Sequence, residues 1–176
     1  MKACRTVIQR ALEPVHSEKV LTQVIAAGRA ERAGAAWHDE GSYNPRSHPR
    51  TIRAGAKYFR DKGCLRAFVW ARNADEMAAW LLTGKGTIVV GTNWYFGMSN
   101  IGERAIAKPT GAVLGGHAYL VIGYNRVTMR FRCLNSWGRE FGKNGRFWIE
   151  HEDMHRLIYK ERGEACAATE MVEVVR

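Results

Sequence analysis

The first third of the chain carries apolar residues at helical spacing. Leu21 and Val24 begin an apolar face that continues through an alanine-rich stretch, which predicts a helix from about 17 to 36. Glycine, proline, serine and asparagine are concentrated from 38 to 49, so we expect a surface loop there. A second helix is predicted from about 51 to 61.

The pattern changes after this helix. A short apolar run from 64 to 70 precedes Asn73, which is placed to cap a helix that ends at Gly84. A buried strand is predicted from 87 to 90, with a continuation to about 92. Glycine and asparagine clusters separate three further β-rich runs, which predict antiparallel strands. These runs are His117 to Tyr124, Thr128 to Leu134 and Arg146 to Ile149.

The order of these elements, helices first and strands second, predicts an α+β architecture in which a helical N-terminal side packs against a C-terminal antiparallel sheet. A chain of 176 residues can bury roughly 70% of its unfolded surface around one core. We therefore expect a single domain over 1–176, mainly helical over 1–84 and mainly β over 85–176.

The composition is that of a globular protein, with 46% hydrophobic and 25% charged residues. No segment approaches the roughly 18 consecutive apolar residues that a membrane-spanning helix needs, and the N-terminus does not resemble a secretory signal. The cysteines are far apart and lack the close pairs of zinc sites, which suits a reducing compartment. We therefore expect a cytoplasmic protein without a membrane anchor. The cysteines are Cys4, Cys64, Cys133 and Cys166.

The formal net charge of +10 would suit an anionic partner such as nucleic acid, a cell envelope or an acidic substrate. No aromatic residues alternate with the densest basic group as they would on a base-stacking surface. A solvated basic face is therefore the favoured interpretation, and no nucleic-acid partner is predicted. This group consists of Arg29, Arg32, Arg46, Arg50, Arg53, Lys57 and Arg60.

His117 and Asn135 are the candidates for hydrolytic chemistry. His117 opens an apolar run beside Gly115 and Gly116, which predicts an imidazole at a strand end next to a glycine turn. The next strand leads into Asn135, whose amide oxygen would accept the imidazole N–H and fix its tautomer. Trp137 would cover that hydrogen bond and exclude water from it. The alternative is an ordinary core or surface histidine.

The remaining histidines have no recognisable partners in the sequence. His151 and His155 stand four apart on a predicted short helix, but no third ligand lies nearby, so we predict neither a metal site nor a cofactor. The others are His16, His38 and His48.

Two segments carry a specific family resemblance. The chain has HAYLVIGY from 117 to 124 and NSWGREFGKNG from 135 to 145. They resemble papain-like cysteine peptidases (peptidase family C1), and the resemblance is to a bacterial or phage-type member with a short N-terminal part in this chain. That family pairs a histidine in H-A-x-x-x-x-G-Y with an asparagine in N-S-W-G-x-x-[WF]-G-x-N-G. The resemblance implies the papain-like fold with its β half-barrel, with His117 as the base and Asn135 orienting it under Trp137.

The resemblance also implies a nucleophile at Cys4. In the family the cysteine begins the first long helix, where the helix N-terminus and the imidazolium lower the pKa of the thiol. Cys4 precedes an apolar stripe formed by Val7, Ile8, Ala11 and Leu12, so it would stand at the first helical turn. The other three cysteines are predicted to be small buried hydrophobic residues.

Two positions depart from the family pattern. A glutamine that supplies half of the oxyanion hole normally precedes the cysteine, whereas only Met1, Lys2 and Ala3 precede Cys4. Loss of one such donor lowers the rate by about 10²–10³. Pro49 lies where family members have glycines whose backbone pairs with a peptide substrate. A native start upstream of Met1 is the alternative explanation for the missing glutamine.

The sequence therefore predicts a cysteine peptidase or amide hydrolase that acts on a peptide or protein through an acyl-thioester. The alternative is a catalytically impaired papain-like domain that binds a peptide or protein without cleaving it. A cell-wall amidase of the related Cys-His type would also be basic. No oligomeric state is predicted.

Overall fold

The computed structural model describes residues 52–61, 63 and 65–171. The predicted helix at 17–36, the loop at 38–49, Cys4 and Cys64 lie outside the described residues.

The described elements are five helical segments and six strands. In chain order they are α1 (Ile52–Asp61), β1 (Leu65–Trp70), α2 (Ala74–Leu82), β2 (Ile88–Tyr95), α3 (Phe96–Ser99), β3 (Val113–Asn125), β4 (Arg130–Leu134), β5 (Arg146–Glu150), α4 (His151–His155), a π-helix (Arg156–Lys160) and β6 (Glu164–Met171).

The two longer helices follow the sequence pattern closely. Helix α1 covers the predicted segment, and α2 begins after Asn73, whose side chain accepts the backbone N–H of Glu76 at 2.9 Å. The helix ends at Leu82, and Gly84 follows with a φ of 71°, a conformation that favours glycine. The predicted cap and the predicted end of α2 are confirmed.

All six strands form one antiparallel sheet in the order β1-β6-β2-β3-β4-β5. Successive side chains of a strand point to opposite faces, so β2 contributes to both sides of the sheet. Ile88 and Val90 are buried in the main core with Met77 of α2. Gly91 points the other way, where its lack of a side chain leaves room for Ile52 of α1. The sheet thus has a helix on each face, which confirms the α+β architecture.

Two strand predictions are wrong in detail. Strand β3 begins at Val113, so His117 lies inside a strand and not at its end. Gly115 and Gly116 pair with Trp94 and Asn93 in the ladder instead of forming a turn. Gly115 has a φ of 151°, which a side chain would disfavour, so here glycine serves an irregular strand.

Strand β6 was not predicted, and Cys166, expected in a C-terminal tail, lies in an interior strand of the sheet. Cys166 is paired with Trp70 on β1 and with Val89 on β2. The strand carries the sequence EACAATEM, which is rich in small residues and poor in the β-branched and aromatic residues that identify strands. The division of the chain at residue 84 stays a prediction, although β1 belongs to the sheet.

No helix in the described part of the chain combines the length and apolar character that crossing a membrane requires.

Candidate active site

His117 lies on the core side of β3. It pairs with Thr92 of β2, and its ring stands on the same face as the rings of Trp94 and Tyr119. The backbone on both sides is held by the β2–β3 ladder, and the residue is partly buried. The sheet therefore restrains the main chain that carries this imidazole.

Asn135 directly follows β4 and is completely buried. Its backbone N–H donates to Gly145 O at 2.9 Å, which ties the start of the NSWGREFGKNG segment to its end. Its side-chain Oδ1 lies 2.8 Å from His117 Nε2, so the predicted hydrogen bond between the two side chains is present.

The contacts of Asn135 define the tautomer of His117. The backbone N–H of Ser136 donates to Asn135 Oδ1 at 2.8 Å, and only the oxygen of the amide can accept it. The atom facing His117 is therefore an acceptor, so Nε2 carries the hydrogen and donates to it. The lone pair of the neutral ring is then on Nδ1.

His117 Nδ1 has no hydrogen-bond partner among the residues that the structure describes. Burial lowers the pKa of His117 below its ordinary value, and the hydrogen bond to Asn135 offsets part of that effect. A neutral imidazole with one unengaged nitrogen is the form that a general base requires near neutral pH.

Aromatic rings enclose the imidazole. The ring centroid of Trp137 lies 4.6 Å from that of His117 at a tilt of 38°, and Trp137 remains 48% exposed. It therefore packs against the imidazole with part of its own ring open to solvent, and its exclusion of water from the hydrogen bond stays a prediction. Trp94 lies 4.7 Å away at 68° and is only 3% exposed.

Sequence reasoning missed Trp94 because the predicted strand stopped near 92, whereas β2 continues to Tyr95. The signal that could have found it is the alternation of β2, since Thr92 and Trp94 occupy the same face as Val90. Phe141 belongs to the NSWGREFGKNG segment, and the sequence pattern assigns it no role at the site. It completes the cluster, with its ring 5.1 Å from Trp137 and 6.2 Å from Trp94.

The second polar atom of the Asn135 amide, Nδ2, is buried and has no hydrogen-bond partner within the described residues. The oxygen of the same amide accepts both the Ser136 N–H and the His117 Nε2–H. The side of the amide that faces the imidazole is therefore its acceptor.

The structure brings together three of the four predicted site residues, namely His117, Asn135 and Trp137. The fourth, Cys4, lies outside the described residues. Cys133 and Cys166 are buried, as predicted for small hydrophobic residues. Burial raises the pKa of the Cys166 thiol to about 12 and that of Cys133 well above its ordinary value, so neither is a thiolate at neutral pH.

His151 and His155 lie on α4, four residues apart, as the spacing predicted. His151 contacts Tyr124 and Asp75, whereas the ring of His155 packs against Tyr159 at 5.3 Å. Within 52–61, 63 and 65–171, no group of three or more His, Cys, Asp or Glu side chains is arranged to hold a metal ion.

Neither a protein-family model nor a curated protein sequence matches the chain. Among solved structures, it is similar to xylellain, a cysteine protease from Xylella fastidiosa, with 25% identity and a TM-score of 0.45 over 62% of this chain and 40% of that one. It is also similar to the bromelain protease from Ananas comosus, with 18% identity and a TM-score of 0.43 over 60% of this chain and 50% of that one.

A third similar structure is a procathepsin B from Trypanosoma congolense, with 19% identity and a TM-score of 0.43. That match covers 60% of this chain and 36% of the other. The described chain thus matches half or less of the length of each of these three structures.

Proposed function

We propose that the chain is a papain-like cysteine peptidase or amide hydrolase that acts on a peptide or protein. The observation that carries this proposal is the hydrogen bond from His117 Nε2 to Asn135, which leaves Nδ1 unengaged within the described residues. His117 lies in β3 and Asn135 directly follows β4, and these two strands are paired in the sheet. Both residues stand in the segments that resemble the family.

In the proposed reaction the nucleophile is Cys4, a role carried over from the family resemblance. Its thiol proton passes to His117 Nδ1, and the sulfur attacks the substrate carbonyl carbon. The tetrahedral intermediate collapses when Nδ1–H protonates the leaving amine, which breaks the C–N bond and leaves an acyl-thioester. Water then gives a proton to Nδ1 and attacks the thioester, and the thiol is regenerated as the acid product leaves.

Asn135 supports both halves of this cycle without titrating. Its neutral oxygen accepts the Nε2–H in either protonation state of the ring, so this hydrogen bond is kept while Nδ1 gains and loses a proton. Trp137 limits the access of water to that hydrogen bond, and a hydrogen bond away from water is electrostatically stronger.

The test is labelling with an epoxysuccinyl inhibitor that alkylates activated thiols, followed by peptide mapping. We expect labelling at Cys4 in the wild-type chain and a large loss of labelling rate in His117→Ala. The matched control is His151→Ala, which removes a histidine that is also partly buried but has both nitrogens engaged. Unlabelled Cys4 in a chain shown by circular dichroism to be folded would contradict the proposal and favour a binding module.

A further inference from the structure

Trp94 is the aromatic ring with the most neighbours at the candidate site. It packs against His117 at 4.7 Å and against Trp137 at 5.2 Å, both in edge-to-face geometry. Behind it, its ring also contacts a group of aromatic residues that belong to the core. These are Tyr119 at 5.9 Å, Phe141 at 6.2 Å and Phe147 at 5.8 Å.

One hydrogen bond holds the polar edge of the Trp94 ring. Its indole Nε1–H donates to Ser99 Oγ at 2.9 Å, across the short helix α3 that follows β2. A buried indole N–H usually finds a partner, and this one is supplied by an exposed serine at the end of α3. Ser99 therefore keeps the N–H edge of the indole directed at α3, in addition to the ring contacts.

The backbone beside Trp94 is anchored from the opposite face of the sheet. Asn93 Nδ2 donates to Glu161 Oε2 at 3.0 Å, and the Tyr95 hydroxyl donates to Glu161 Oε1 at 2.8 Å. Arg156 Nε also donates to Glu161 Oε1, at 2.8 Å. The residues on either side of Trp94 are thus held by one carboxylate, so the ring has little freedom to move with its main chain.

The hydrogen bond to Asn135 does not by itself fix the imidazole. A single Nε2–H···Oδ1 contact leaves the ring free to pivot about that axis, which would swing Nδ1 away from a reacting atom. The indoles of Trp94 and Trp137 meet the imidazole at nearly equal distances but at different angles, 68° and 38°. Two indole rings packed at different angles oppose this rotation of the imidazole.

We propose that Trp94, held by Ser99, is a positioning residue that keeps the His117 imidazole in the orientation presenting Nδ1 to the reaction. The inference rests on the proposed function for its catalytic consequence, but the orientation of His117 is a property of the folded protein and is measured without substrate. Supporting side chains of this kind matter because a misplacement of about 1 Å can cost about 10²-fold in rate.

The first test uses Ser99, because substituting Ser99 leaves the Trp94 side chain itself unaltered. Ser99→Ala removes the partner of the Trp94 N–H, whereas Ser99→Thr keeps a hydroxyl. Nuclear Overhauser contacts between the ring protons of His117 and Trp137 report the orientation of the imidazole, and an NMR titration reports its pKa. We expect the wild type and Ser99→Thr to show the same contacts. Ser99→Ala should weaken them and raise the pKa of His117 as water reaches the ring, with the Nε2–H tautomer kept because Asn135 still accepts it.

The second test compares two Trp→Phe substitutions. Trp94→Phe removes the held indole, while Trp80→Phe removes an indole of α2 whose buried Nε1 has no partner in the described structure. Only the first should weaken the nuclear Overhauser contacts between His117 and Trp137. With a peptide substrate, Ser99→Ala and Trp94→Phe should lower kcat about tenfold with KM little changed, and Trp80→Phe should lower neither.

The outcomes separate the two proposals. Unchanged contacts between His117 and Trp137 and an unchanged His117 pKa in folded Ser99→Ala would overturn the positioning role, whatever the activity. If Trp94→Phe fails to fold, Ser99→Ala decides alone. Altered His117 signals in a chain that shows no hydrolysis would support the positioning role while contradicting the proposed function.

Discussion

His117 and His151 lie in the same fold with different uses of their two ring nitrogens. His117 donates from Nε2 to Asn135 and has no partner for Nδ1 in the described structure. His151 uses both nitrogens, since Nδ1 lies 3.0 Å from the Tyr124 hydroxyl and Nε2 lies 3.0 Å from Asp75 Oδ1. Both rings pack against aromatic neighbours, so aromatic packing does not distinguish them.

The partners of His151 explain what that residue does. Asp75 accepts the Nε2–H, so Nδ1 accepts from Tyr124, and the ring stacks 5.7 Å from Phe131. Tyr124 belongs to β3 and Asp75 to the first turn of α2. His151 therefore ties the start of α4 to the sheet and to α2.

The comparison teaches that hydrogen-bond occupancy separates a candidate base from a structural histidine. A general base needs a lone pair that is not already committed, whereas a structural histidine is most stabilising when both nitrogens are satisfied. The partners differ as well. The neutral Asn135 leaves burial free to lower the pKa of His117, whereas an ionised partner would raise it.

The largest expected effect is on catalysis. We expect His117→Ala to lower kcat/KM for a peptide substrate by about 10²–10⁴, because a positioned general base typically contributes that much. His151→Ala should stay within about twofold of the wild type, since neither of its nitrogens is available. Hydrolysis rates of the two folded variants check this, and equal losses in both would remove the distinction between the two histidines.

A smaller effect is expected for stability, and here the substitution of His151 is the damaging one. His151→Ala leaves the Tyr124 hydroxyl without its acceptor and removes the contact with Asp75, so the free energy of unfolding should fall by about 1–3 kcal/mol. His155→Ala is the matched control on the same helix, because the described structure gives His155 only a ring contact with Tyr159. Urea denaturation measures both. A loss in His155→Ala as large as that in His151→Ala would contradict the assignment.

The smallest effect concerns the pH dependence of stability. Because the pKa of His117 is lowered in the folded state, its neutral form contributes stability that is present above the unfolded-state pKa of about 6.5 and is lost as pH falls through the folded pKa. Asn135→Asp places a negative charge beside the ring and should raise that pKa. If it rises above the unfolded value, the contribution is instead present at low pH and lost as pH rises.

NMR titration of His117 and urea denaturation at pH 5 and pH 8 test this prediction together. The control is Asn125→Asp, which changes an exposed asparagine at the end of β3. An unchanged His117 titration in folded Asn135→Asp would mean that the amide does not govern the charge state of the ring.

Much of the fold followed from local patterns. The cap at Asn73, the end of α2 near Gly84 and the strands around His117 and Arg146 depend on backbone preferences of a few neighbouring residues, which a single sequence displays. The contact between His117 and Asn135 was predictable for a related reason. Consecutive antiparallel strands joined by a short turn bring such residues together. The two sequence segments that contain His117 and Asn135 are also specific motifs.

The sequence by itself determined which residue types meet at the candidate site, because His117 lies in one strand, Asn135 and Trp137 directly follow the next one, and both segments carry a specific motif. Only the tertiary structure decided that β6 enters between β1 and β2, that Trp94 packs against His117, and that His151 meets Asp75, 76 residues away. These arrangements depend on strand order and on which faces pack together. Non-local pairing of this kind leaves no periodic signal in the segments that take part.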